Sequence, residues 1–289
     1  GTTFTFFAYD SGFTGGVRVA MGDLNNDGFP DVITGPGVGG GPNIRVFDIS
    51  SGSANMVVNF FAFEPQFTGG VYVAAGDLVG GTGDDLVVSA GPGGGPRVST
   101  YAGSTSTYVN TASQVSNFFV YAPEFRGGVT VAAGDVINGG FDELVTGAGP
   151  GGGPHVRVFN INTGAPVVVK EYFAFDPGVR TGIYVSAGDL NGDGSADIFA
   201  GTGSGGITAV NVTISNGVTG LIFPFGQFQG GARVGVAEDA SGNQYLTVGA
   251  GPGGGPAVQI YNSSLLQTDA LFAFGLDFTG GVFPNTTID

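Results

Sequence analysis

One period governs this chain. The tripeptide "GGV" begins at Gly15, Gly69 and Gly127, returns as "TGI" at Thr181 and "GGA" at Gly230, and starts a sixth time at Gly280. The intervals are 54, 58, 54, 49 and 50 residues. Behind each of the first five, four short apolar runs follow in fixed order. In the first unit they are "VRVAMGD", "DVITG", "IRVFD" and "FFAF". A polar loop separates the first two, the glycine loop "GPGVGGGP" the next two, and a variable stretch the last two. The register is tight: Asp31 to Pro42, Asp85 to Pro96, Glu143 to Pro154 and Tyr245 to Pro256 all span 11 positions. Apolar residues alternate with period two, as in Val17, Val19 and Met21, and no helical period of useful length appears.

Four-stranded units of about 50 residues, five times over, predict an all-β chain folded as a β-propeller of four-stranded blades. Five blades are expected, or six or seven if the chain is a fragment. A β-solenoid fits less well because its rungs are usually shorter. A string of sandwiches fits less well because about 50 residues bury little core alone. One domain, 1–289, is expected, with repeats at 9–62, 63–121, 122–175, 176–225 and 226–275 and a partial sixth at 276–289. Small residues at Ala20, Ala74, Ala132 and Ser186 suit inner strands, where blades converge. The chain has no Trp, so its 25 Phe must supply the packing of the wide outer part. Fourth-strand runs number six, one too many. Thr3–Tyr9 and Ala270–Phe274 are expected to compete for the outer edge of the fifth blade. The surplus strand would lock the ring or pair with a neighbouring molecule, because an unpaired edge is a template for addition.

Two of the polar loops are rich in oxygen. "GDLNNDGFPD" places Asp23, Asn25 and Asp27 at positions one, three and five, the Phe29 carbonyl at seven and Asp31 at nine. "GDLNGDGSAD" places Asp189, Asn191, Asp193, the Ser195 carbonyl and Asp197 in the same places. Alternate side chains on a tight loop point inward together and give hard oxygen donors at a spacing suited to Ca²⁺. Two Ca²⁺ ions are therefore expected. The bland alternative is an Asx-rich turn that binds its own backbone. The other units act as an internal control. The second has Val79 and Gly81 where ligands should be, the third Ile137 and Gly139, and the fifth Tyr245 in place of the closing Asp. These three are expected to keep the turn without the metal.

The stretches "FTGGVRVAMGDLNNDGFPDVITGPG" and "GIYVSAGDLNGDGSADIFAGTG" resemble the FG-GAP repeats of integrin α-subunit propellers and their bacterial VCBS-type relatives. Weaker versions cover the remaining units. The "GPGGGPHVRVF" loops and "FFAF" strands look most like large secreted repeat proteins of bacteria such as planctomycetes. The resemblance implies a propeller, usually of seven blades, with Ca²⁺ in the intact loops. It implies functions from adhesion to carbohydrate binding.

Composition narrows the classes. The net charge is −15 with eight Lys and Arg, which argues against nucleic acid and anionic membrane surfaces. There is no Cys, hence no disulfide, thiolate metal site or Cys nucleophile. No apolar run is long enough to span a membrane. The start at Gly1, with no Met or signal-like segment, reads as a processed or trimmed piece. "GPGVGG" matches a dinucleotide fingerprint by letters only, because Pro42 and a strand follow it instead of a helix. The single His, His155, sits in a strand-like run, and no nucleophile elbow is present. The expected function is a non-catalytic, secreted or cell-surface calcium-binding adhesive module, as part of a larger assembly. Its expected partners are a protein or glycan at the cell surface, or other copies through the terminal strands. A lectin-like carbohydrate-binding propeller is the alternative, and a polysaccharide-degrading enzyme the weaker one. Arg18, Tyr72, Thr130, Tyr184 and Arg233, each just after the "GGV" position, are candidates for a binding ring at the channel mouth, against the blander and favoured reading of polar residues that face channel water.

Overall fold

A computed structural model describes residues 5–105, 108–162, 165–284 and 286–288. Turn chemistry cuts the chain into strands at the positions that the period marks. The first blade is β1 (Val17–Gly22), β2 (Asp31–Pro36), β3 (Asn43–Asp48) and β4 (Asn55–Phe61), paired in that order. The second is β5 (Val71–Gly76), β6 (Asp85–Ala90), β7 (Arg97–Tyr101) and β8 (Gln114–Phe119). The third is β9 (Val129–Gly134), β10 (Glu143–Ala148), β11 (His155–Asn160) and β12 (Val167–Phe173). The fourth is β13 (Ile183–Gly188), β14 (Asp197–Thr202), β15 (Val210–Thr213) and β16 (Thr219–Ile222). The fifth is β17 (Ala232–Asp239), β18 (Gln244–Ala250), β19 (Ala257–Tyr261) and β20 (Gln267–Phe272), with β21 (Thr286–Ile288) added parallel to β17. The chain is thus an all-β propeller of five four-stranded antiparallel blades. Among the described residues the one helix is a 3₁₀ turn, Thr111–Ser113, capped by Asn110. None is long and apolar enough to cross a membrane.

The chain divides into two compact units, residues 1–131 with 160–167, and residues 132–159 with 168–289. Within each, the apolar clusters lie between neighbouring sheets. Leu24, Ile33, Val46 and Val58 of the first blade pack with Val71, Leu86, Val88 and Tyr101 of the second. Phe199, Val210 and Val212 of the fourth pack with Ala232, Val234, Leu246 and Tyr261 of the fifth. A single blade is two-faced and thin, so it buries its apolar side chains only against the next one. First strands of neighbouring blades touch, β1 on β5 and β13 on β17, which is why they carry small residues. Ala20, Ala74 and Ala132 are buried there.

Hairpin register is the same from blade to blade. Gly22 faces Asp31, Gly76 faces Asp85 and Gly188 faces Asp197 at the end of each first hairpin. The oxygen-rich loops therefore lie on the face that also carries the loops between third and fourth strands. The glycine loops lie on the other face, where Gly39 N–H donates to Thr68 O and Gly93 N–H to Arg126 O of the following "TGG" or "RGG" turn.

The two ends differ from expectation. Thr3 and Phe4 lie outside the described residues. Residues 5–9 form no strand and sit on the first blade instead of the fifth. Phe6 packs on Phe47 at 4.8 Å, the Tyr9 hydroxyl donates to Asn43 O, and Arg45 donates to Ala8 O. Of the two segments, only the C-terminal one contributes to the outer strand of the fifth blade, β20 (Gln267–Phe272), which ends before Ala273 and Phe274. One sequence serves every blade equally, so the run "FFAY" carried no sign of which blade would take it.

Candidate functional site

The first loop is built on Asp23. One carboxylate oxygen accepts from Asp27 N–H and the other from Gly28 N–H. Asn26 and Gly28 take left-handed conformations, φ 55 and φ 88, which tighten the loop. In the fourth blade Asp189 accepts from Asp193 N–H and Gly194 N–H in the same way. The third blade repeats this with Asp135, Gly139 N–H and Gly140 N–H, although Ile137 and Gly139 stand at the third and fifth positions. The turn therefore closes on its own hydrogen bonds, and only side chains at positions three and five set the two intact loops apart.

The closing acid is also general. Asp31 accepts from Leu24 N–H, and Asp197 from Leu190 N–H and Ser215 N–H. Asp85 accepts from Leu78, Val79 and Gly103 N–H, and Glu143 from Val136 and Ile137 N–H. All four side chains are buried. In the fifth blade Tyr245 instead donates its hydroxyl to Asp239. The ninth position clamps the start of the loop in every blade that has an acid there.

Burial and neighbouring negative charge both act on the closing acids of the two intact loops. Burial, then the charges of Asp27, Asp48 and Asp23, push the Asp31 carboxyl up to about 7, against one opposing hydrogen bond from Leu24. In the fourth blade burial raises Asp197, and Asp193 and Asp189 add to it. Two groups that the sequence did not single out complete these sites. Tyr108, from the variable loop of the second blade, accepts at its hydroxyl from the Asn25 amide. Burial, then Asp31, Asp48 and Asp27, push that phenol up to about 12. Ser215 donates to Asp193. Asn25 and Asn191 turn their amide nitrogens toward Asp27 and Asp193, so each pair closes on itself. Among the described residues no three His, Cys, Asp or Glu side chains stand ready to hold a metal ion. All donors at both loops are nevertheless hard oxygens, the set that Ca²⁺ takes. Phe29 is exposed, and its N–H, like that of Ser195, is held by the loop aspartate at position five.

A raised acid has a definite sign. The folded chain holds the Asp31 proton to about pH 7 and the unfolded chain only to about 4. Asp31 thus adds stability that is full below about pH 4 and lost as pH rises through about 7. With divalent ions chelated, the melting temperature is expected to fall between those limits, and Asp31→Asn to flatten that fall. A melting temperature that rises over the same window would contradict the raised Asp31 pKa.

The residues after "GGV" form stacks. Arg18 and Arg233 are each only 8% exposed. The Arg18 guanidinium lies 3.6 Å from the Tyr72 ring centre, and that of Arg233 4.0 Å from Phe283 and 5.7 Å from Tyr184. Thr130 is buried. These side chains spend their faces on one another, which leaves little for the candidate binding ring. His155 stacks on Phe173 at 4.8 Å and lies 3.6 Å from Glu171. Burial, with Arg157, holds its pKa below the ordinary value.

On the glycine-loop face of the first and second blades lies a cleft of about 220 Å³, lined by Phe63, Phe67, Phe119, Glu64, Arg97 and Arg126. Glu64 and Arg97 form a two-pronged ion pair at 2.6 and 3.1 Å. The Phe119 ring, half exposed, lies against Gly95, where a Cβ would meet it at 3.0 Å. Phe61 against Gly41 and Phe173 against Gly153 repeat this shelf.

No protein-family model matches the chain, and no curated protein matches it. Among solved structures, the Bacillus licheniformis rhamnogalacturonan lyase PL11 matches with a TM-score of 0.52 at 12% identity, over 89% of this chain and 50% of that one. BBS1N, solved in complex with ARL6DN, matches with a TM-score of 0.51 at 14% identity, over 88% of this chain and 67% of that one. This chain spans about half the length of the lyases it matches. At such identities the likeness establishes the propeller fold alone.

Proposed function

We propose that this chain is a non-catalytic, extracellular propeller module of the FG-GAP and VCBS type, which binds Ca²⁺ in its first and fourth blades and serves adhesion or scaffolding at a cell surface. The observation that carries this reading is the buried Asp31 carboxylate, on which the charges of Asp27, Asp48 and Asp23 bear. A cation there would relieve the repulsion, and Asp23, Asn25, Asp27, the Phe29 carbonyl and Asp31 would hold it. Asp189, Asn191, Asp193, the Ser195 carbonyl and Asp197 would hold its counterpart. The chemistry supplied is structural, a tie between the first and second strands of each blade. Affinities of about 10⁻⁴ to 10⁻³ M suit extracellular modules, where Ca²⁺ is abundant. The non-catalytic reading is supported by His155, whose ring is engaged by Phe173 and Glu171.

Calorimetry should give two Ca²⁺ per chain, with one lost in Asp27→Asn and the other in Asp193→Asn. The melting temperature should drop on chelation. No heat of binding together with equal melting in chelator would defeat the metal reading and leave self-sufficient turns.

A second reading, a carbohydrate-binding propeller, is favoured by the cleft beside Phe119. A half-exposed ring on a flat glycine suits the apolar face of a sugar, and the Glu64–Arg97 pair offers donors and acceptors to neighbouring hydroxyls. Under this reading a glycan array gives a sugar hit that Phe119→Ala reduces about tenfold or more, the equivalent of about 1.4 kcal/mol. A blank array removes it.

A further inference from the structure

Charge is spread unequally along a blade. Each of the first four blades carries three carboxylates in its first hairpin loop, which makes 12 of the 23 in the chain. The cleft beside Phe119 lies at the other end, with the glycine loop, and its lining holds two guanidinium groups against one carboxylate. Arg97 is already answered. Its guanidinium stacks 4.6 Å from the Phe63 ring centre and is forked onto Glu64, whose pKa it holds below the ordinary carboxylate value. Arg126 is not answered. Its Nη1 donates to the Pro123 and Phe125 carbonyls of its own turn, and among the described residues its Nε and Nη2 have no partner. Nε and Nη2 share one edge of the guanidinium, the fork that takes a carboxylate through two parallel hydrogen bonds. The tether at Nη1 holds that fork in place in advance, which lowers the cost of using it.

An aromatic platform lines the same cleft. Phe119 is half exposed and rests on Gly95. The third blade shows how closely such a ring and such an arginine approach. There Phe173 Cε1 and Arg180 Nη1 stand 3.1 and 3.7 Å from the place of a Cβ on Gly153, and Nη1 again donates to two carbonyls of its turn, those of Pro177 and Val179. One face of the Phe173 ring is taken by His155. In the other blades Thr68, Gln229 and Thr279 replace the arginine. The second blade therefore joins an open ring to an unanswered fork.

Resting on the carbohydrate reading of this cleft, we propose that its ligand is an acidic sugar, a hexuronate unit of a polysaccharide, whose carboxylate takes the Nε–Nη2 fork of Arg126 while its apolar C–H face lies on Phe119. In a hexuronate the carboxylate is joined directly to the ring, so one unit engages both groups. A neutral hexose offers a hydroxymethyl there and leaves the guanidinium unanswered. The cleft, about 220 Å³, admits one such ring. Glu64 disfavours a carboxylate on its own side, which fixes the orientation of the unit. Six-residue strands set the two ends of a blade about 20 Å apart, beyond the screening length of about 8 Å at physiological salt, so the acidic end does not cancel the attraction.

Isothermal titration of the full chain tests this with oligomers of glucuronate and of galacturonate, each beside its carboxyl-reduced, neutral form. Chelator is present throughout, so no cation bridges carboxylates and the calcium reading plays no part. An acidic oligomer is expected to bind about tenfold or more tighter than its reduced form. Arg126→Gln brings the two to one affinity, and Phe119→Ala weakens both alike. Equal affinity of acidic and reduced oligomers for the native chain overturns the uronate and leaves the carbohydrate reading standing. An acid preference that survives Arg126→Gln overturns it too. If neither acidic oligomer binds, the proposal is wrong, and a blank glycan array then removes the carbohydrate reading as well. Dextran sulfate that competes as well as the uronate, with Phe119→Ala leaving uronate affinity unchanged, shows a mere attraction for anions and is equally fatal. Should Arg126→Gln not fold, Arg126→Lys, which keeps the charge and loses the fork, is expected to lower the acid preference, and an unchanged preference refutes the fork.

Discussion

Gly251→Ala is expected to destabilise the protein by about 3 kcal/mol, lowering the melting temperature by roughly 6–12 °C. A Cβ at this position would fall inside the contact radius of the Gly230 carbonyl oxygen, with Gly231 O at 3.1 Å behind it. Both neighbours are backbone, and Gly251 N–H is itself bound to Gly231 O at 3.0 Å. Neither side can give way without opening the turn that starts the fifth blade. Gly37, Gly91 and Gly203 meet the same obstruction in their own blades, so the effect should recur at each. Gly255→Ala is the control. A Cβ there meets nothing within 4 Å, and the change should cost no more than about 0.5 kcal/mol. Thermal melting of the two variants side by side decides the matter. Equal melting would mean that the glycine loops are spacers and not close contacts.

Phe199→Ala comes next, at about 3–5 kcal/mol. Phe199 lies on the second strand of the fourth blade and is fully buried. Its ring is shared with Val210 and Val212 of its own blade and with Val234 and Leu246 of the fifth. Its loss leaves a cavity across a junction of two sheets, and both must shift to fill it. Phe223→Ala, 57% exposed, should cost no more than about 1 kcal/mol. Urea titrations give the comparison. A midpoint for Phe199→Ala close to that of Phe223→Ala would place the core elsewhere.

The blades were legible because their period appears in residues that backbone geometry demands. Gly16, Gly70, Gly128, Gly182 and Gly231 all take positive φ at the same phase, and no other residue does so as cheaply. Strand limits followed from them closely: the run beginning at Val17 is β1 and the run beginning at Asp31 is β2. The loops were legible in part. Asp23 and Asp189 sit at the head of their turns as expected. A carboxylate that clamps backbone N–H groups and one that binds a cation are spelled alike, so the shared clamping role of Asp31, Asp85, Glu143 and Asp197 emerged only from their hydrogen bonds. Tyr108 could not be anticipated. It reaches the first loop from the next blade, inside a stretch that shares no pattern with its counterparts. The stacking of Arg18 and Arg233 was hidden for a related reason, since the aromatic partner of each lies in another repeat.

The apolar clusters straddle neighbouring sheets, so what is inherited on duplication is a junction and not a blade. A copied stretch one period long restores every such junction wherever in the period its breakpoints fall. An array of this kind can therefore lengthen or shorten by unequal recombination without any interval of its history in which a core is left half built. Intervals of 49 to 58 residues are then no anomaly, because drift confined to the loops leaves each junction whole.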